Sequence, residues 1–128
     1  MATVLIVDDD SNSRLLVATL LEHAGHVVLE AEDGESALRV VAAHCPHLIL
    51  VDLSMPRMSG VAFIRALRND PKHSASAVAL YTATADTGAM RDFLDAFDVL
   101  GAIPKPCEPV AFVQAVEFML KAAAAGQR

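Results

Sequence analysis

Short apolar runs recur along the chain, each followed by a polar turn and then a stretch with helical spacing. The runs at residues 3–7, 27–31, 47–51, 77–81 and 99–103 predict strands. Two of them, Val4-Leu5-Ile6-Val7 and Leu48-Ile49-Leu50-Val51, lack polar alternation, the pattern of strands buried on both faces. Between the runs, residues 11–24, 35–44, 59–68 and 86–97 predict helices, and a last helix begins at Pro109. Leu15, Leu16, Ala18, Thr19 and Leu20 form an apolar stripe on the first helix; Val61, Ile64 and Leu67 do so on the third, and Met90, Phe93, Leu94 and Phe97 on the fourth. Gly25 is a C-terminal stop, Asp33 an N-cap, and Pro46 and Asp70-Pro71 are breaks. Pro109 suits a first helical position. Five strands alternating with five helices through short loops demand an α/β fold, a parallel sheet covered on both faces.

In such sheets, function gathers beyond the carboxyl ends of the strands. Five loop openings share that edge: Asp8/Asp9/Asp10, Glu32/Asp33, Asp52/Leu53/Ser54, Thr82/Ala83/Thr84 and Pro104/Lys105/Pro106. Three hold carboxylates, one a hydroxyl and one a lysine. Carboxylates about 5 Å apart repel by roughly 3 kcal/mol per pair at an effective dielectric near 20. A divalent cation removes that cost, and hard oxygen ligands with no EF-hand spacing favour Mg2+. Asp52, at the end of a rigid buried strand, then becomes a candidate nucleophile that accepts a phosphoryl group as an aspartyl phosphate. Lys105 and the Thr82 hydroxyl are suited to neutralise the transferred oxygens. A plainer alternative stands beside this one: Asp8, Asp9 and Asp10 cap the first helix, Thr82 satisfies a turn and Lys105 is a surface lysine.

Composition narrows the classes. The 128 residues suit one domain, and 54% hydrophobic against 20% charged residues is ample for a core. A net charge of −6 without a Lys/Arg cluster argues against a nucleic-acid surface. Cys45 and Cys107 read as free thiols with no metal spacing, and the five histidines show none either. No signal peptide and no bilayer-length apolar segment is present, so the expectation is a cytoplasmic chain without membrane contact. The start at Met1 and the polar end at Gln127-Arg128 favour a complete chain.

Val7-Asp8-Asp9, Asp52-x-x-Met55-Pro56-x-Met58-x-Gly60, Thr82-Ala83 and Lys105-Pro106, in this order and spacing over essentially the whole chain, resemble the receiver domain of two-component response regulators. The resemblance implies a flavodoxin-like, doubly wound sheet of order 2-1-3-4-5, with a receiver domain over residues 1–122 and a short tail over 123–128. It implies that Asp52 accepts phosphate from a phosphohistidine on a sensor histidine kinase or phosphotransfer protein, with Mg2+ as cofactor. The metal ligands would be Asp9, Asp52 and the Ser54 backbone carbonyl, with Asp8 acting through a water. Thr82, Ala83 and Lys105 form the phosphoryl-binding and switch set, and Ser54 and Thr84 tune hydrolysis of the acyl phosphate. Output would pass to an unknown downstream protein, and the chain would be a switch with only slow autodephosphorylation, not a turnover enzyme.

Two positions depart from the family. Ala102 stands where a Tyr or Phe usually reports phosphorylation, and Cys107 where a large apolar residue is commoner. Tyr81 is a poor substitute for that ring, since it precedes Thr82 on the strand and faces the other way. Phe93, Phe97, Phe112 and Phe118 are either core or a partner-facing patch. The rival readings are a phosphatase of the haloacid dehalogenase type, using Asp8-Asp9-Asp10 as Asp-x-Asp, and a phosphate-independent docking module on the same fold. A flavodoxin proper lacks its phosphate loop here.

Overall fold

A computed structural model of the chain describes residues 1–53, 59–83 and 88–126. Strands β1 (Thr3–Val7), β2 (Val27–Ala31), β3 (Leu48–Val51), β4 (Val78–Thr82) and β5 (Ala102–Pro104) alternate with helices α1 (Ser11–His23), α2 (Gly34–His44), α3 (Gly60–Asn69), α4 (Gly88–Ala96) and α5 (Pro109–Gly126). The sheet is parallel throughout, in the order β2-β1-β3-β4-β5. This is the flavodoxin-like arrangement that the resemblance implied.

The unbroken apolar runs have the predicted cause. Alternate residues of β1, β3 and β4 serve two cores, one on each face of the sheet. Leu5, Val7, Ile49, Val51, Val78 and Leu80 pack with Ala37 and Val41 of α2 and with Phe63, Ile64 and Leu67 of α3. Val4, Ile6, Leu48, Leu50, Ala79 and Tyr81 pack on the other face with Val17 and Leu21 of α1 and with Phe112, Val116 and Met119 of α5. Because β2 is an edge strand, Val27 and Glu30 are exposed.

Helix ends follow their capping residues. Asp10 accepts from Asn12 N, Asp33 from Ser36 N and Ser59 from Ala62 N, each leading a helix. Gly25, at φ 95, closes α1 with its N–H on Glu22 O. Glu108 caps α5, its two carboxylate oxygens accepting from Val110 N and Ala111 N. Two histidines prolong the ladders of β1: His26 Nδ1 accepts from Ala2 N and His47 Nδ1 from Thr3 N. His26 Nε2 then carries the proton that Glu117 receives.

Several boundaries differ from expectation. Residues 99–101 were predicted to begin β5. Instead Asp98 adopts φ 54, and Val99 N donates to Leu94 O in closing α4, so the strand starts at Ala102. Of the stripe drawn on α1, Ala18 is buried and Leu20 packs against the core, whereas Leu15 and Leu16 are exposed and Val17 and Leu21 take their place. Of the phenylalanines, Phe112 is core and Phe118 is exposed. Helix α5 continues to Gly126 with Ala123 buried, so residues 123–126 of the expected tail are the end of that helix. The predicted start of α4 at Asp86 lies outside the described residues.

Arg68 ties the base of the fold together. Its guanidinium donates to Phe97 O (2.8 Å), Ser74 O (3.1 Å), Ser76 O (2.7 Å) and Asp98 O (3.1 Å). One side chain at the end of α3 thus holds the connections on either side of β4. Burial pulls its pKa below the ordinary value, against the Asp98 charge, yet it stays the donor for all four carbonyls. Hydrogen bonds from charged donors contribute about 1.5–3 kcal/mol each, less where water can replace them. Arg68→Met is therefore expected to cost about 2 kcal/mol, and Arg68→Lys to recover less than half, because an ammonium lacks the planar fork. Urea midpoints measure both, and an unchanged midpoint in Arg68→Met would refute the tie.

Candidate functional site

The carboxyl ends of β1, β3, β4 and β5 meet at one rim. Pairing of β1 with β3 aligns Val7 with Val51, and Asp52 N donates to Val7 O at 2.9 Å. The residues that follow each strand, Asp8 and Asp52, are thereby neighbours by register. Pairing of β4 with β5 aligns Thr82 with Pro104, and Lys105 N donates to Thr82 O at 3.1 Å. The lysine is thus delivered to the same rim by the last strand, ahead of a cis Lys105–Pro106 bond.

Asp8 is fully buried and Asp52 nearly so, while Asp9 is exposed. Each offers a carboxylate oxygen, and the three lie within 4.8 Å of one another. Asp8 Oδ1 accepts from Asp10 N (3.0 Å), which fixes the Asp8 carboxylate and leaves Oδ2 for Lys105 Nζ at 2.5 Å. The same ammonium reaches Asp52 Oδ2 at 3.3 Å. Burial alone would lower the Lys105 pKa; the hydrogen bond to Asp8 and the charges of Asp8 and Asp52 outweigh it, so the pKa is raised above 10.5. Lys105 is therefore a fixed cation at neutral pH. Arg14 braces the wall from behind, Nη1 donating to Asp8 O (2.7 Å) and Nε to Glu30 Oε1 (3.1 Å).

Three carboxylates against one ammonium leave the pocket two negative charges in excess. A set of hard oxygen donors, two of them buried, fits a divalent cation that favours oxygen, the kind expected of Mg2+. Thr82 is buried at the end of β4 and Ala83 is exposed just after it. The structure thus brings together Asp8, Asp9, Asp52 and Lys105, with Thr82 bonded through its backbone to the lysine. Ser54 and Thr84 lie outside the described residues.

Asp10 is excluded from the acid cluster by its role as the α1 cap. The phosphatase reading, which used Asp8-Asp9-Asp10 as Asp-x-Asp, is not favoured. Ala102 of β5 pairs with Leu80 of β4 and packs against the α2/α3 core, with no ring to offer.

Gly60, at the start of the predicted third helix, has a sharper role. A Cβ there would sit 2.4 Å from Asp52 O and 2.7 Å from Leu53 Cα, and Gly60 N donates to Leu53 O. The amino end of α3 is packed directly on the backbone of the central aspartate. The Ser59-Gly60 pair was the available signal, but it marks a helix start equally well.

Comparison with known proteins identifies the family and the fold. Residues 4–117 match the family model described as the response regulator receiver domain. The chain is 37% identical over 84 residues to a probable chemotaxis protein CheY from Rhizobium etli, covering 65% of each. It is 43% identical over 68 residues to the phosphate regulon transcriptional regulatory protein PhoB from Pseudomonas aeruginosa, covering 53% of this chain and 30% of that protein. The chain thus spans less than two thirds of either relative. The solved structure of Vibrio cholerae chemotaxis protein CheY4 superposes with a TM-score of 0.86 at 28% identity, covering 93% of this chain and 98% of that one.

Proposed function

The chain belongs to the response regulator receiver domain family of two-component signalling, and on that premise we propose that Asp52 is its phosphoacceptor. It is a signalling module and not a turnover enzyme. The observation that carries the assignment is Lys105 Nζ, held in contact with both Asp8 and Asp52 at the rim.

One Asp52 carboxylate oxygen attacks the phosphorus of a phosphohistidine, forming the acyl phosphate while the P–N bond breaks and the imidazole leaves. Lys105 neutralises one phosphoryl oxygen in this reading, and the Thr82 hydroxyl donates to another. Asp8, Asp9 and Asp52 would hold the metal, joined by the Ser54 carbonyl, with Asp8 acting through a water. Bound there, Mg2+ supplies the remaining charge neutralisation that a loose phosphoryl transition state requires. Moving Lys105 from Asp8 to the phosphoryl group frees that buried carboxylate to serve the metal. Ala83, with its minimal side chain, leaves the approach open, and Ser54 and Thr84 set how quickly water removes the phosphate.

The donor in this reading is a sensor histidine kinase or phosphotransfer protein acting in the cytoplasm, and the output is contact with a downstream protein. Phosphorylation biases an existing two-state equilibrium. Neither nucleic acid nor membrane is a partner: the net charge is −6. Among the described residues, no helix is long and apolar enough to cross a bilayer.

Incubation with a small acyl-phosphate donor and Mg2+ tests the assignment. One phosphoryl equivalent should be incorporated, mapping to Asp52 and labile to hydroxylamine, with chelation of the metal stopping incorporation. A stable phosphoserine or a phosphohistidine would overturn it.

A further inference from the structure

Phosphoryl arrival must be felt by whatever touches the ammonium that moves to meet it. Besides Asp8 and Asp52, Tyr81 is such a group among the described residues, its ring centroid 5.3 Å from Lys105 Nζ. The strand periodicity is correct that Tyr81 faces away from Ala102: it belongs to the α1/α5 core and is 4% exposed. Facing that way does not remove it from the site, because the lysine stem at the start of the β5–α5 connection carries Nζ over the ring. On its other side Tyr81 meets Phe112, in the first turn of α5, with centroids 5.1 Å apart and planes inclined by 55°.

We propose that Tyr81 is a positioning residue for Lys105, and that its ring carries the state of the acidic pocket to α5 through Phe112. The proposal rests on the reading of Asp52 as the acceptor. It gives the chain a phosphorylation-sensing ring on the α1/α5 side of the sheet, where Ala102 supplies none on the other side.

Three observations converge on it. A cation over a ring face is attracted by the ring quadrupole, so Tyr81 helps fix where Nζ rests between two carboxylates. A cavity of about 440 Å3, bounded by Asp10, Asn12, Leu16, Tyr81 and Lys105 among others, lies beside the ring and gives it room to shift as Lys105 leaves. Phe112 is 1% exposed and packs among core side chains, so a shift of Tyr81 is passed to α5 and not lost to solvent.

The composition supplies the probe, for Tyr81 is the sole tyrosine and there is no tryptophan. Beryllofluoride, standing in for the phosphoryl group, is titrated with Mg2+ while tyrosine emission is followed. The emission should change in one saturable step at one equivalent, with the midpoint found for beryllofluoride binding by equilibrium dialysis. In acyl-phosphate loading, Tyr81→Leu should be slower by about fivefold, the worth of a cation–ring contact of ~1 kcal/mol. Tyr81→Phe, which keeps the ring, should stay within about twofold of wild type. Should the leucine variant fail to fold, the wild-type emission still decides. A wild type that binds beryllofluoride without an emission change overturns this inference and leaves the Asp52 assignment standing. A wild type that binds none overturns both.

Discussion

Asp52→Asn should yield a folded protein that accepts no phosphoryl group from any donor. The residue is 8% exposed, and its place is set by the backbone: Asp52 N donates to Val7 O at the end of the β1–β3 ladder. An amide of the same shape keeps that geometry but lacks the anionic oxygen that attacks phosphorus, and no neighbouring carboxylate can replace it. Asp8 is buried with both oxygens engaged, one by Asp10 N and one by Lys105. Asp9 is exposed, on the solvent side of the cluster. Two opposing effects act on stability. The variant loses one of the two ion pairs of Lys105, but also loses the Asp8–Asp52 repulsion, roughly 3 kcal/mol at a separation under 5 Å and an effective dielectric of 20. Lys105 keeps its shorter partner, Asp8, so the urea midpoint should stay at or above the wild-type value in metal-free buffer. Phosphoryl incorporation and urea unfolding measured side by side separate loss of chemistry from loss of fold. Wild-type loading by Asp52→Asn would remove the acceptor from its assigned position.

That experiment isolates the part of the site most legible in the sequence. The apolar runs of β1 and β3 are read from composition alone, and each ends in acid, so a parallel sheet must bring Asp8 and Asp52 to one edge. The same logic delivers Lys105 after β5, even though the strand itself starts three residues later than its hydrophobicity indicates. Val99 and Leu100 look like strand, but Asp98 turns the chain at positive φ and Val99 N is already committed to Leu94 O. What the pattern could not convey was contact across the fold. Arg68 reads as one more arginine on a helix face, and its four carbonyl partners come from connections six to thirty residues away. Tyr81 was correctly oriented by strand periodicity and still meets Lys105, because periodicity fixes a direction while the reach of a lysine stem decides the contact. On α1, Leu15 and Leu16 fit an apolar stripe as well as Val17 and Leu21 do, and the placement of the helix on the sheet selects the latter.

Gly60→Ala should damage the protein in two ways at once, although Gly60 touches no substrate. Its ideal Cβ would stand 2.4 Å from Asp52 O, 2.7 Å from Leu53 Cα and 3.0 Å from Asp52 C. All three are backbone atoms, so no rotamer change can relieve the overlap. Either the start of α3 withdraws or the chain at Asp52 and Leu53 is pushed toward the acid pocket. Withdrawal would lengthen the Gly60 N to Leu53 O hydrogen bond, now 3.2 Å, and loosen Phe63, Ile64 and Leu67 in the core. Displacement would move the acceptor carboxylate relative to Asp8 and Lys105. Overpacking of this kind typically costs about 1–3 kcal/mol, and rigid backbone atoms on both sides set the expectation at the upper end, about 3 kcal/mol. A shift of the nucleophile near 1 Å is worth about 100-fold in rate, so acyl-phosphate loading should slow by that order even in the folded fraction. Alanine elsewhere in α3 would favour the helix, so a lower urea midpoint cannot be laid to helix propensity. Measuring the loading rate well below the urea transition keeps the two effects apart. A variant with wild-type stability and wild-type loading would mean that α3 does not press on Asp52, and that the acceptor is held by the β1–β3 ladder alone.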